Sequence, residues 1–449
     1  MNRIAGRAKS LFLLVILFLG GFLFFIGEFC AKADRWVVFP LSPHIYNAGN
    51  IGSGVVVDGD GYLLLDMNDG RTYTEDLALR QSTVHWVGDR YGQISAPALA
   101  HYAEKSAGFD LVNGLYSYGG YGAVQTLTLR ASIQKAALQA LGNRKGTVAV
   151  YNYKTGQLLC SVTTPTYDPD DVPQVQDGMY MNRFTQATYI PGSIFKIVTM
   201  AAVLEKAPHL LEETFVCNDV YQMGADAVTC GHVHGKQTLK EAFLNSCNCV
   251  FAQVAEKLGA QNLQEYVDSC GVVDSVSFDG ITTEKGNYQA DASPVNLAWG
   301  AIGQYTDLIN PCSFLTFVGA IANGGEGVTP YVVEEITVGG EITYKARSVT
   351  RERVMSEETA ATLQAYMRNN VAAKYDKYNN YFPGLTVCAK TGTAEVAGSN
   401  HNAMLAGFVM DEEYPLAFVV CVQDAGYGIT QALPIASKVL AQCKNLLDQ

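Results

Sequence analysis

Hydrophobic positions along the chain fall into blocks of different period. Residues 11–27 are apolar without interruption and follow Arg3, Arg7 and Lys9. Such a block sits at the short limit for a bilayer-spanning helix, and the positive residues hold the end before it, residues 1–10, in the cytoplasm. A secretory signal is the competing reading, because Ala31-Lys32-Ala33 has the small residues of a cleavage site. The length of the block favours a retained anchor, and either way the rest of the chain lies outside the cytoplasm. Residues 28–124 carry short apolar runs, G-S-G-V-V-V-D and Y-L-L-L-D, broken by turn signals and ending near a flexible Y-S-Y-G-G-Y-G loop. They predict a small β-containing domain.

From Gln125 the pattern changes. It predicts an amphipathic helix over 128–141, a hairpin over 147–165, and helices over 238–246, 249–258, 293–304, 312–323 and 356–374. Strands follow at 385–393, 403–410 and 415–423, then a helix at 432–447. Helices thus sit between an early hairpin and late strands, which predicts an α+β domain, 125–449, whose sheet joins both ends of the segment.

One helical block stands apart. Residues 189–205 read Y-I-P-G-S-I-F-K-I-V-T-M-A-A-V-L-E, and between 194 and 204 the only polar side chains are Lys196 and Thr199. Pro191, Gly192 and the N-cap residue Ser193 predict a helix starting near Ser193. A helix apolar on every side is buried, and a buried lysine needs a reason. Three positions separate it from Ser193, so amine and hydroxyl share a helical face. Desolvation favours the neutral amine, the form able to take a proton from serine. The alternative is a capping serine with a lysine that snorkels to the surface.

Spacing alone does not decide, because Ser132-Ile133-Gln134-Lys135 is a second S-x-x-K. That copy lies on an amphipathic helix with a solvated face. Lys154-Thr155-Gly156 similarly duplicates Lys390-Thr391-Gly392, but falls between two alternating runs as a hairpin turn.

The formal charge of −12 argues against a nucleic-acid partner. Eleven cysteines leave at least one unpaired. Cys217 and Cys230 flank a loop and are the best disulfide candidates; Cys160, Cys388 and Cys421 fall in strand patterns and read as small buried hydrophobes. Cys230, His232 and His234 fit no common zinc spacing and read as loop residues.

Two further pieces carry chemistry. Ser246-Cys247-Asn248 lies where one helical pattern ends and the next begins, placing a hydroxyl and a carboxamide where they can relay a proton and hold an amide. Capping of the helix at 249 is the plainer alternative. Lys390-Thr391-Gly392-Thr393 follows a strand pattern, so Thr391 and Thr393 share a face for a carboxylate. Gly392 lets a substrate backbone approach, and Lys390 adds positive charge. A peptide docked there gains main-chain hydrogen bonds as an added strand.

In that order, Ser193-x-x-Lys196, Ser246-x-Asn248 and Lys390-Thr391-Gly392 resemble the three-motif set of penicillin-binding proteins and serine β-lactamases. The flanks Y-I-P-G-S-I-F-K, A-I-A-N-G-G and A-K-T-G-T-A-E resemble class B penicillin-binding proteins, and the likeness covers roughly residues 125–449. It implies an antiparallel sheet packed with helices plus a helical subdomain, and a membrane-anchored D,D-transpeptidase that cross-links peptidoglycan stem peptides ending in D-Ala-D-Ala. Ser193 would be the nucleophile and Lys196 its base. Ser246, with Lys390 behind it, would pass a proton to the leaving D-alanine, and Asn248 would hold the acyl side chain. Backbone N–H groups of Ser193 and Thr393 would form the oxyanion hole, with Thr391 and Thr393 on the terminal carboxylate. The resemblance also implies inhibition by β-lactams, no cofactor or metal, and a separate membrane glycosyltransferase as partner. Ala389 departs from the glycine frequent before the third motif, and H-N-A-M-L-A-G-F lacks an aromatic frequent after it. A D,D-carboxypeptidase would use water as acceptor, and a β-lactam sensor or scaffold would bind without turnover. A β-lactamase is disfavoured, since no E-x-x-x-N lies between Asn248 and Lys390.

Overall fold

The computed structural model describes residues 2–448 apart from 40–41, 43–44, 48–49, 69, 108, 111–113, 116–121, 172–173, 292, 377–378 and 397–399. The Y-S-Y-G-G-Y-G loop, Gly122 aside, lies outside the described residues. Helix α1 (Asn2–Val37) contains a candidate span of 30 residues, Ile4–Ala33, whose most apolar stretch has a mean hydropathy of 2.7. The apolar block at 11–27 is therefore extended at both ends, and Ala31-Lys32-Ala33 is helical. At about 1.5 Å per residue the segment reaches about 45 Å, more than the ~30 Å of a hydrocarbon core. Among the described residues α1 is the one helix long and apolar enough to cross a membrane.

Strands β1 (Val55–Val57), β2 (Leu63–Asp66) and β3 (Thr72–Tyr73) precede helix α2 (Leu77–Val87), which Asp76 caps by accepting the Leu79 N–H. After β4 (Val124–Leu127) come α3 (Ala131–Leu141) and the hairpin of β5 (Gly146–Asn152) and β6 (Leu158–Thr164). Helix α4 (Lys196–Lys206) leads to a long hairpin, β7 (Thr214–Met223) and β8 (Asp226–Thr238), then α5 (Leu239–Asn245) and α6 (Asn248–Leu258). Helix α7 (Pro311–Ala322), strands β9 (Val333–Val338) and β10 (Glu341–Lys345) and helix α8 (Glu357–Asn370) follow. The chain closes with β11 (Val387–Ala394), β12 (Asn402–Val409), β13 (Leu416–Val422) and α9 (Gly428–Leu447).

The early hairpin and the late strands form one antiparallel five-stranded sheet in the order β6-β5-β13-β12-β11. Strand alternation divides its side chains between two cores. Val148, Val150, Leu405 and Val420 pack with Ile133 and Ala137 of α3 and with Val439 and Leu440 of α9. Ala149, Tyr151, Met404 and Val419 face the other way and pack with Phe314 and Val318 of α7. Helices cover both faces, so β12 and β13 are buried at every position and their sequences read as continuous apolar runs rather than as alternation. Each buried Val or Leu contributes about 1.5–3 kcal/mol, enough together to hold β11 in place as a rigid edge.

A second, six-stranded sheet has the order β10-β9-β4-β1-β2-β3, with β1 and β4 parallel. It draws strands from both sides of residue 124. The β7–β8 hairpin has no counterpart in the predicted elements: its strands alternate with half-exposed polar residues and give little apolar signal.

Candidate active site

The helix predicted to start at Ser193 begins at Lys196 instead. Ser193 sits in the preceding single 3₁₀ turn, Gly192–Ile194, and the helix N-cap is Phe195, with no side-chain capping bond. The Ser193 hydroxyl is therefore not consumed as a cap. Two glycines press this turn against β11. Gly192 has φ +55, and a Cβ there would lie 2.7 Å from the Thr393 carbonyl oxygen; a Cβ on Gly392 would lie 2.8 Å from the Pro191 oxygen and 3.1 Å from the Ile194 nitrogen. Side chains at either position would push the Ser193 turn off the strand.

Lys196 is fully buried. It donates to the Ser246 carbonyl at 2.6 Å and to Asn248 Oδ1 at 2.7 Å, lies 3.4 Å from Ser246 Oγ, and stands over the Phe251 ring. Burial drives its pKa down to about 7. A neutral amine has two N–H donors, which the two short contacts use, and one lone pair left to accept a proton. Ser246 is held at the end of α5 in the left-handed conformation, φ 56 and ψ 37, rare for a residue with a Cβ and a sign of local strain. Neither Ser246 nor Asn248 caps the start of α6, whose N-cap is Cys247: Ser246 ends α5, and Asn248 accepts from Lys196 and donates through Nδ2 to the Thr229 carbonyl at 3.0 Å.

Lys390 is buried as well and donates to Ser246 Oγ at 2.9 Å and to the Thr391 carbonyl at 2.9 Å. Burial holds its pKa well below the ordinary lysine value, with Lys196 and Lys374 pushing the same way. The two buried amines thus converge on one hydroxyl, and no carboxylate offsets either of them among the described residues. Two adjacent ammonium ions in such a place repel, so at least one amine is neutral.

Thr391 and Thr393 lie at alternate positions of β11, which is the free edge of the sheet. Part of that edge is already covered. Asn370 donates to the Ala389 carbonyl at 3.1 Å, and the Tyr375 hydroxyl accepts the Thr391 N–H and touches Thr391 Oγ1, both at 3.0 Å. The Thr393 Oγ1 accepts the Gly428 N–H at 3.3 Å. Tyr375 ends a π-helical turn, Val371–Tyr375, that extends α8 and aims the ring under the strand. Sequence reasoning missed this residue, because it falls one position past the predicted helix and its partner lies on a distant strand.

The cysteine expectations need correction. Cys217 and Cys230 are both free thiols rather than a disulfide. Cys230 and His234 are not isolated loop residues either: with Cys217 and Cys247 they place one donor atom each within 4.8 Å of one another. Cys160, Cys388 and Cys421 are buried in strands, as predicted.

The profile described as "Penicillin binding protein transpeptidase domain" matches residues 146–441. Stage V sporulation protein D of Bacillus subtilis is 28% identical over 409 residues, covering 86% of this chain and 60% of that protein. Peptidoglycan D,D-transpeptidase PbpA of Mycobacterium tuberculosis is 28% identical over 297 residues, 60% of each chain. The chain thus spans about 60% of the length of these curated relatives. Penicillin-binding protein A of M. tuberculosis, solved as a ceftriaxone acyl-enzyme complex, superposes with a TM-score of 0.75 at 22% identity, covering 87% of this chain and 98% of that one. The D,D-transpeptidase domain of a peptidoglycan glycosyltransferase from Eggerthella lenta gives 0.73 at 24% identity, with coverage of 88% and 98%. With the matched region spanning most of the chain and centred on the sheet that carries these motifs, the protein belongs to the penicillin-binding protein transpeptidase family and stands with its class B members.

Proposed function

We propose that the protein is a serine D,D-transpeptidase that cross-links peptidoglycan stem peptides through an acyl-enzyme on Ser193. The observation that carries this reading is the pair of buried lysines held on Ser246 beside the Ser193 turn. Lys196, neutral through burial, takes the Ser193 proton as the oxygen attacks the carbonyl between the two terminal D-alanines. The N–H groups of Ser193 and Thr393 receive the developing oxyanion. Ser246, backed by Lys390, delivers a proton to the departing D-alanine. Thr391 and Thr393, with the charge of Lys390 near them, take the terminal carboxylate. Asn248 has one amide hydrogen left for the acyl side chain once Thr229 has taken the other. An amine from a neighbouring stem then resolves the ester, and a β-lactam that mimics the donor blocks Ser193.

The N-terminal helix supports a membrane-anchored arrangement, with residues 1–10 cytoplasmic, residues 28–124 a small outer domain, and the catalytic domain at 125–449 also outside. A separate membrane glycosyltransferase would supply the glycan strands. One solved relative, at 24% identity and a TM-score of 0.63, belongs to a peptidoglycan synthase complex that coordinates polymerization and crosslinking.

The test is to label the wild type and Ser193→Ala with a fluorescent penicillin, then to offer a stem-peptide thioester with and without an amine acceptor. Labelling should vanish in the variant, and the amine should appear in the product. Undiminished labelling of the variant contradicts the nucleophile. Release to water alone makes the enzyme a carboxypeptidase, and labelling without thioester turnover makes it a sensor or scaffold.

A further inference from the structure

Cys217 stands on β7, Cys230 and His234 on β8, and Cys247 at the N-cap of α6, between Ser246 and Asn248. The Nδ1 of His234 lies 3.5 Å from Cys217 Sγ and 3.5 Å from Cys230 Sγ, and Cys230 Sγ lies 3.8 Å from Cys247 Sγ. These match three of the six edges of a metal tetrahedron, and the other three lie within 4.8 Å. With Zn–S of about 2.3 Å and Zn–N of about 2.0–2.1 Å, tetrahedral angles put sulfurs about 3.8 Å apart and sulfur and nitrogen about 3.5 Å apart. A disulfide would need about 2.05 Å between the sulfurs, which none of the contacts approaches.

The neighbours sharpen the donor set. Cys249 borders the cluster beside Cys217 but gives its thiol to the Asp219 and Val228 carbonyls and is not one of the four converging donors. His232 stands edge-on to His234, with ring centroids 6.2 Å apart, and it is its main-chain oxygen that meets Cys217 Sγ. Three cysteines and one histidine are a closed structural set with no open position for substrate, and soft thiolates select zinc over hard cations. Cys217 and Cys247 are fully buried and Cys230 and His234 half-buried.

We propose that Cys217, Cys230, His234 and Cys247 bind one zinc ion that clamps the β7–β8 hairpin to the Ser246–Asn248 junction. Binding exchanges thiol protons for the metal, with the protons released to solvent and no change of oxidation state. Its purpose follows from the packing. A two-stranded hairpin is marginally stable alone, and this one breaks register around Cys217 and Asn218 and again before Val220. Yet its Thr229 carbonyl holds Asn248, which in turn holds Lys196. A clamp through Cys247 fixes the left-handed Ser246 turn at the residue next to it. On this proposal Cys230 and His234 are ligands, where their spacing alone reads as that of loop residues.

The test uses the full chain in detergent and needs no substrate, so it stands or falls apart from the acyl-transfer reading. Metal analysis of the purified protein should find about one zinc per chain, and stripping it with a chelator should lower Tm by at least about 5 °C. Cys230→Ser and His234→Ala should lose the zinc, while Cys249→Ser keeps it. Because a ligand variant can fail to fold, cobalt is also to be exchanged into the wild type, where tetrahedral thiolate ligation gives intense visible bands. Substoichiometric zinc with no cobalt bands would overturn the proposal, as would a disulfide within the set in non-reducing mass analysis or equal zinc in all variants.

Discussion

The chain contains the same spacing twice, and the two copies differ in almost everything except spacing. Ser132 and Lys135 lie on α3, where the lysine, with 42% of its side chain exposed, reaches Asp76 at 2.8 Å and props the cap of α2. Lys196 is fully buried, contacts no carboxylate, and shares Ser246 with a second buried lysine. The third motif repeats the lesson. Lys154 is an exposed turn lysine on Asn323 at 2.7 Å, whereas Lys390 is sealed in β11. A serine and a lysine one helical turn apart become a nucleophile and a base only where desolvation makes the amine neutral and leaves its lone pair unspent.

That contrast can be broken by paired substitutions. Lys196→Ala should slow acylation by a fluorescent penicillin by about 10²–10⁴-fold, while Lys135→Ala leaves it within about twofold. Lys390→Ala should cost about 10–100-fold in the same assay, since it leaves the half-buried Ser246 Oγ without its closer donor, and Lys154→Ala nothing measurable. Tyr375→Phe is the finer probe: losing one hydroxyl at the strand edge should reduce the acylation rate by about 2–10-fold and lower Tm by only a few degrees. The smallest effect belongs to the decoy, where loss of the exposed Lys135–Asp76 pair should cost about 0–1 kcal/mol in a denaturant titration. Comparable losses for the two members of a pair would erase the distinction.

Much of this was legible because burial leaves a pattern. The strand runs at 385–393, 403–410 and 415–423 and the early hairpin mark a sheet covered on both faces, and a lysine inside residues 194–204 marks the site. What escaped is what pattern does not encode. Ser193 reads as a cap, yet it stands in a 3₁₀ turn whose place depends on the approach of Gly192 and Gly392 across the sheet. The β7–β8 hairpin has too few apolar positions to announce itself. The cysteine cluster matches no zinc spacing because its fourth donor, Cys247, lies between Ser246 and Asn248, on the helix junction across from the hairpin. Tyr375 is visible only once α8 and β11 are side by side.

The central claim is that burial makes Lys196 a base near neutrality, and the rate of acylation against pH tests it most directly. Folding lowers this pKa from its ordinary value to about 7, so the amine is a proton acceptor above that pH and a spent cation below it. Measured from about pH 5 to 9, the second-order rate constant should rise about tenfold per unit up to about 7 and then level, with the limb absent in Lys196→Ala. A profile still climbing towards pH 10, or one flat throughout, would contradict the account.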